Sequence, residues 1–346
     1  MTESRKVQEI RGSYYLYLPK KWCVENRITK NQEISIEVLE DNTLLLMNKS
    51  NVTPLIGKIS IDLDEWGDEN TDIYFLIFSS YICGADKIII QSKKKINLHL
   101  RQEIDQMVRD LIDLEVLEED DHHIVIRTLG QTPEDIKNIF QRMLNNVLYM
   151  LEQLSQIKDL IQNEKLADNY ENIKESIDII ISRYSNVKRF GSFIERGIHL
   201  LLRDRNMLRK LEWSVDDCIF NLLVIQYIQS IGGHCSRIAE LLLKSSKIPK
   251  IFGLLAEDSY NIYKDSIIVY QYGNMIDAYK IFNNHSEFDV DFQQEETITN
   301  GDHLLMYHFQ RIINYARKIA EIAVHKFISK TVVSSRNELL SKPKIE

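Results

Sequence analysis

The sequence predicts an α+β protein that is mostly α, and three observations carry that reading. Only 12 Gly and 5 Pro occur among 346 residues, too few for a turn-rich all-β chain or a disordered linker. No proline lies between Pro133 and Pro249, and apolar residues in that stretch recur at helical spacing. Ahead of Pro133, short β-branched or alternating runs separated by turn residues read as strands. At roughly 150 residues per domain, the length implies two or three domains.

Residues 1–52 form the first expected domain. Val7 to Ile10 and Tyr14 to Leu18 flank Arg11-Gly12-Ser13 as a hairpin, and Pro19 opens a short helix over Lys20 to Asn26. Ile34 to Leu39 and Thr43 to Met47 flank an Asp41-Asn42 turn as a second hairpin. Residues 56–130 read as a small α/β sandwich. Its expected order is a strand over Ile59 to Leu63, a helix over Thr71 to Cys83 ended by Gly84, and a strand over Lys87 to Gln91. A helix over Leu98 to Ile112 and a hairpin of Glu115 to Glu118 with Ile124 to Thr128 complete a two-layer unit.

The third expected domain, 132–330, is helical. Thr132-Pro133-Glu134-Asp135 combines a capping Thr, a first-turn Pro and acids at the positive end of the dipole. The periodicity predicts helices near 133–161, 164–190, 212–245, 248–271, 273–284 and 299–329. The polar tail, 331–346, is expected to be flexible. Two segments repeat in constant register. Gln229, Ile231, His234 and Ile238-Ala239-Glu240 correspond to Gln310, Ile312, Tyr315 and Ile319-Ala320-Glu321. Each copy would close a three-helix bundle, one over 133–245 and one over 248–329.

The formal net charge is -8, yet residues 1–30 hold seven basic residues against three acidic ones. A cationic module on an anionic body is the asymmetry of a DNA-contacting head. The cysteines Cys23, Cys83, Cys218 and Cys235 make no Cys-x-x-Cys pair, which predicts a reducing, cytoplasmic setting. The first residues lack the apolar core of a signal peptide, and no apolar run approaches the length of a membrane span. No Gly-rich phosphate loop, G-x-S-x-G or H-E-x-x-H is present, so no enzyme and no cofactor is expected.

The N-terminal segment resembles the AbrB/SpoVT swapped-hairpin DNA-binding family. The residues that carry this are Arg5-Lys6-Val7-Gln8, Gly12-Ser13-Tyr14, Leu18-Pro19-Lys20-Lys21-Trp22, Lys30-Asn31-Gln32-Glu33-Ile34 and Asp41-Asn42-Thr43-Leu44. The resemblance implies a homodimer whose interlocked hairpins close a small β-barrel and present basic residues to double-stranded DNA. Asn31 stands where that family usually has Gly, and Asn tolerates positive φ. The helical part resembles the PhoU family in its archaeal form with an AbrB-like domain in front. Glu175-Ser176-Ile177-Asp178 with Arg183, Ile238-Ala239-Glu240 and Ile319-Ala320-Glu321 carry that resemblance, with Gly84 to Ile88 and Leu114 to Glu119 in the middle segment. It implies phosphate-uptake regulation.

The sequence departs from the PhoU pattern at one kind of position. Where that family carries paired acids one helical turn apart, this chain has Gln229 and Gly233, then Gln310 and Asn314. Carboxylates chelate hard cations and neutral amides bind them weakly. The expectation is that the family's multinuclear metal clusters are lost or weakened and that no metal site remains.

Arg5, Lys6, Arg11, Lys20 and Lys21 are the expected DNA contacts, mainly to phosphates. Tyr14, Tyr15, Tyr17 and Trp22 are expected in a core or dimer interface, because duplex DNA offers no open base faces. His122-His123 beside acids reads as a solvated turn, and Cys235 next to His234 as core. Glu240 and Glu321 read as helix-surface acids. The expected function is a DNA-binding, PhoU-like regulator whose helical body senses a signal or binds a partner protein. The alternative is a dimeric adaptor without DNA binding that docks on a phosphate-transport ATPase or signalling protein.

Overall fold

Arg11 and Gly12 both adopt positive φ, 52° and 79°, which makes a two-residue hairpin turn matched to the right-handed twist of strands. They join β1 (Gln8–Ile10) to antiparallel β2 (Ser13–Tyr15), with Ile10 opposite Ser13. Ser13 is therefore a strand residue rather than part of the turn. Helix α1 (Lys20–Glu25) follows Pro19, since a proline tolerates the first turn where no donor is needed. Asn31 holds φ 66°. Strands β3 (Ser35–Val38) and β4 (Leu44–Met47) pair antiparallel.

The computed structural model describes residues 4–38, 43–48, 57–65, 73–162, 166–244, 251–284 and 300–341. The expected Asp41-Asn42 turn lies outside them. The chain divides into two units, Met1–Ile56 with Asn337–Glu346, and Gly57–Arg336. In the first unit the strands form two separate two-stranded sheets rather than the closed barrel. Four strands of three or four residues from one chain are too few and too short to close a sheet on itself.

The second unit opens with a four-stranded sheet of order β5-β6-β8-β7. Strand β5 (Lys58–Asp62) runs parallel to β6 (Lys87–Gln91), with helix α2 (Ile73–Ile82) as the crossover. Helix α3 (Leu98–Asp110) is capped by the Asn97 side chain, which accepts from the Leu100 amide at 2.8 Å. Strands β7 (Leu114–Glu119) and β8 (His123–Thr128) close the sheet as an antiparallel pair. Ile61, Ile88, Ile90, Ile124 and Ile126 from the sheet pack with Ile77, Tyr81, Ile104 and Met107 from the helices. Alternation along each strand sends these side chains to one face.

Seven helices follow: α4 (Pro133–Gln162), α5 (Leu166–Arg203), α6 (Arg205–Leu211), α7 (Val215–Lys244), α8 (Phe252–Tyr272), α9 (Met275–Asn284) and α10 (Asn300–Ser341). Two starts are capping boxes built with Asp. The Asp135 amide donates to Thr132 Oγ1 at 3.2 Å, and the Thr132 amide donates back to Asp135 Oδ2 at 3.0 Å. Ser214 and Asp217 repeat this at α7, at 3.0 and 2.9 Å. Each box satisfies an orphan donor of the first turn.

Helix α5 runs to Arg203, well past the predicted end near 190. Gly191 does not stop it. A Cβ there would collide with the Gln229 amide of α7, so the glycine permits close helix packing. Helix α6 is an element the periodicity does not predict. Helix α10 runs to Ser341, beyond the predicted frayed end, because no proline lies between Pro249 and Pro343.

The helical core is one continuous cluster reaching from Ile136 to Ala323. Ile231, Cys235, Ile238 and Leu242 of one repeat and Ile312, Ala316, Ile319 and Ala323 of the other are all buried. Helices α7 and α10 run antiparallel: Asp217 meets Lys326 at 3.6 Å, Tyr227 stacks on Tyr315, and His234 meets His308. The sheet is tied to the helices by Arg196 of α5, which is 1% exposed. Its Nη1 donates to the carbonyls of Tyr81 and Ala85 at 2.8 and 2.9 Å. Its Nη2 donates to Asp86 Oδ1 at 3.3 Å and Thr128 Oγ1 at 3.2 Å. Among the described residues, no helix is long and apolar enough to cross a membrane.

Candidate nucleic-acid interface

The five basic residues singled out in the sequence all belong to the first unit and all are exposed. Arg5 and Lys6 precede β1, Arg11 occupies the hairpin tip, and Lys20 and Lys21 open α1. Lys21 pairs loosely with Glu25 at 3.9 Å, both side chains well exposed, so water screens the pair and it contributes little.

A polar network fixes the loop behind α1. Asn26 Nδ2 donates to the Trp22 carbonyl at 2.9 Å, and Asn48 Nδ2 donates to the Asn26 carbonyl at 2.7 Å. Gln32 Nε2 donates to Asn48 Oδ1 at 2.7 Å. Asn48 thus joins the end of β4 to the end of α1 and orients the helix that carries Lys20 and Lys21. Sequence reasoning misses this residue, because a single Asn after a strand reads as an ordinary turn former.

The apolar residues of this unit behave unlike a core. Among its described residues no apolar side chain is buried. Tyr14 is 76% exposed, Val24 and Val38 68%, Ile36 65% and Leu44 62%. Tyr15 and Tyr17 are exposed and Trp22 is half-buried, so within one chain the expected aromatic core does not form. A two-stranded ribbon has no second layer to cover its apolar side chains.

Elsewhere the remaining candidate positions are dispersed. Gln229 packs on Gly191, and a Cβ at Gly233 would lie 3.2 Å from the Tyr184 hydroxyl. Gln310 is half-buried and Asn314 exposed. Asp178 lines an open groove of about 550 Å³ on α5 with Glu171 and Glu175. Glu240 pairs with Arg237 at 2.9 Å and Glu321 with Lys318 at 2.6 Å, each within its own helix. His122 in the β7–β8 turn and His123 at the start of β8 are exposed, and His123 Nδ1 lies 3.2 Å from Asp120. Two backbone amides donate to the Asp120 carboxylate and hold it below the usual range. Cys235 is buried, and burial pushes its thiol far up, which keeps it protonated and inert. Among the described residues no three His, Cys, Asp or Glu side chains gather as metal ligands. Comparison with protein-family models, curated proteins and solved structures gave no match.

Proposed function

We propose that the protein is a DNA-binding regulator of the PhoU-like type, acting as a homodimer through its AbrB-like first unit. The observation that carries this is the pairing of exposed apolar strands with exposed cations in that unit. Each large aliphatic side chain moved from water into an interface contributes about 1.5–3 kcal/mol. Ile10, Leu16, Ile36, Val38 and Leu44 all stand open, so a second copy interleaving its hairpins gains enough to close the sheets. The same association aligns two sets of Arg5, Lys6, Arg11, Lys20 and Lys21, and linked contacts strengthen one another through effective concentration. A two-stranded ribbon is a shape the DNA major groove admits. In this reading the helical unit senses a signal or binds a partner, in the setting of phosphate uptake that the sequence resemblance implies.

The test is a mobility shift of duplex DNA across a salt series, with sedimentation to read the assembly state. The expected wild-type result is a dimer whose affinity falls steeply with salt. Lys20→Glu with Lys21→Glu should abolish the shift or flatten the salt slope by roughly two to four, near 0.9 per lost phosphate contact. A monomer, or a wild-type dimer that leaves DNA unshifted at low salt, refutes DNA regulation. The second of those results is what a non-DNA-binding adaptor would give.

A further inference from the structure

On the seam between α7 and α10, His234 Nδ1 lies 2.8 Å from His308 Nδ1. Both rings are half-buried. Tyr315 stacks on His234 with ring centres 5.8 Å apart, and Tyr307 meets the edges of both histidines. Arg311, one turn from His308, lies over the Tyr315 ring at 4.6 Å and donates to the Tyr315 hydroxyl. Its Nε is buried without a hydrogen-bond partner, and among the described residues no carboxylate pairs with Arg311. Half-buried arginines normally face a carboxylate. This one lies against Tyr315, whose ring stacks on His234, and its charge acts on His234.

The Nδ1–Nδ1 contact dictates the protonation chemistry. One ring must donate its proton and the other must accept with its lone pair. In the neutral pair the donor ring therefore has a bare Nε2, and the acceptor ring has an Nε2–H. One added proton, taken by the bare Nε2, leaves the shared bond intact and gives both rings an outward N–H. The pair then carries one positive charge beside Arg311. We propose that His234, His308 and Arg311 form a binding site for a doubly charged tetrahedral oxyanion of the phosphate or sulfate class, and that the anion enters together with one proton.

The surrounding groups fit that assignment. Burial first, then His308 and Arg311, push His234 down to about 4. Burial and Arg237 push His308 down, and Glu240 pulls it the other way. The empty pair is therefore neutral near pH 7, and a bound dianion reverses the cationic repulsion that keeps it so. Arg237 is itself paired with Glu240, which leaves Arg311 as the nearby cation without an acidic partner among the described residues. A divalent cation would instead meet two guanidinium groups. All three residues belong to the second unit, so the assignment does not depend on the first unit binding DNA.

The experiment is calorimetric titration of the full-length protein with sulfate in several buffers of different ionisation heat, at pH values from about 6 to 8. Sulfate keeps its charge over this range, so any pH dependence belongs to the protein; a phosphate arm then reports the natural class of anion. Expected are uptake of about one proton per anion and an affinity that falls about tenfold per pH unit. Arg311→Gln should weaken binding about tenfold or more, with an unchanged far-ultraviolet spectrum as proof of folding, and Arg311→Lys should recover most of it. His308→Gln should abolish the proton uptake. No binding of sulfate or phosphate at millimolar concentration and pH 6, binding without pH dependence, or wild-type binding by a folded Arg311→Gln protein would each overturn the assignment. Preferential zinc binding at the pair would overturn it too.

Discussion

Replacing Arg196 by Met tests how the sheet is held to the helices. The methionine fills much of the same volume but removes four hydrogen bonds, two of them to the backbone carbonyls of Tyr81 and Ala85. Tyr81 is fully buried and its carbonyl has no access to water, whereas Asp86 is partly exposed and rehydrates. A buried acceptor left without a donor costs about 1–3 kcal/mol. Asp86 stays open to water, so losing its charge partner adds less than the about 3–5 kcal/mol of a fully buried pair. Loss of the guanidinium stacked 5.2 Å from the Tyr81 ring centre adds to this. The expected loss is about 3–4 kcal/mol, read as a lowered urea midpoint by circular dichroism and as faster hydrogen exchange at Ile88, Ile90 and Ile126. Arg196→Lys keeps the charge but not the fork, and should fall between the two. A loss under about 1 kcal/mol for the Met variant, or a gain in stability, would refute the reasoning, because hydrophobic replacement would then outweigh the lost donors.

Thr132→Ala and Ser214→Ala remove the caps of α4 and α7, and each should cost about 1 kcal/mol in urea unfolding. The Thr132 bonds hold the Asp135 carboxyl below the usual range. That contribution is present above the unfolded pKa near 3.9 and disappears as pH falls through the lower folded value; the wild-type advantage over Thr132→Ala should shrink accordingly. His234 is depressed in the folded chain to about 4, so the unfolded state takes up its proton first. Without oxyanions, stability should hold above about pH 6.5 and decline toward pH 4 by about 1 kcal/mol after allowance for solvent screening. The same titration of His234→Gln with His308→Gln should lack that decline.

The parts legible in the sequence are those encoded locally. Arg11-Gly12, Pro19 and the Thr132-Pro133 start each announce an element through a few adjacent residues. The buried stripe of each repeat follows from spacing alone. Other features depend on partners far along the chain. Gly191 reads locally as a helix breaker, yet its meaning lies in Gln229. Arg196 falls in a stretch where the periodicity predicts no helix, and its four acceptors lie at least 68 residues away. His234 and His308 are 74 residues apart, and no local pattern distinguishes them from surface histidines. The apolar residues of the first unit mislead in the opposite sense, since Tyr14 and Val38 alternate like core positions and yet stand open in one chain.

The antiparallel seam of α7 and α10 relates the two repeats to each other. Tyr227 in one repeat corresponds to His308 in the other, and His234 corresponds to Tyr315. The two observed contacts, Tyr227 with Tyr315 and His308 with His234, therefore exchange under the repeat relation. The seam carries a local twofold axis, of the kind two identical subunits make when they meet through the same patch. Because both repeats lie in one polypeptide, the two sides need not be identical. The axis carries two tyrosines at one end and two histidines at the other, so the seam offers imidazole chemistry on a single side.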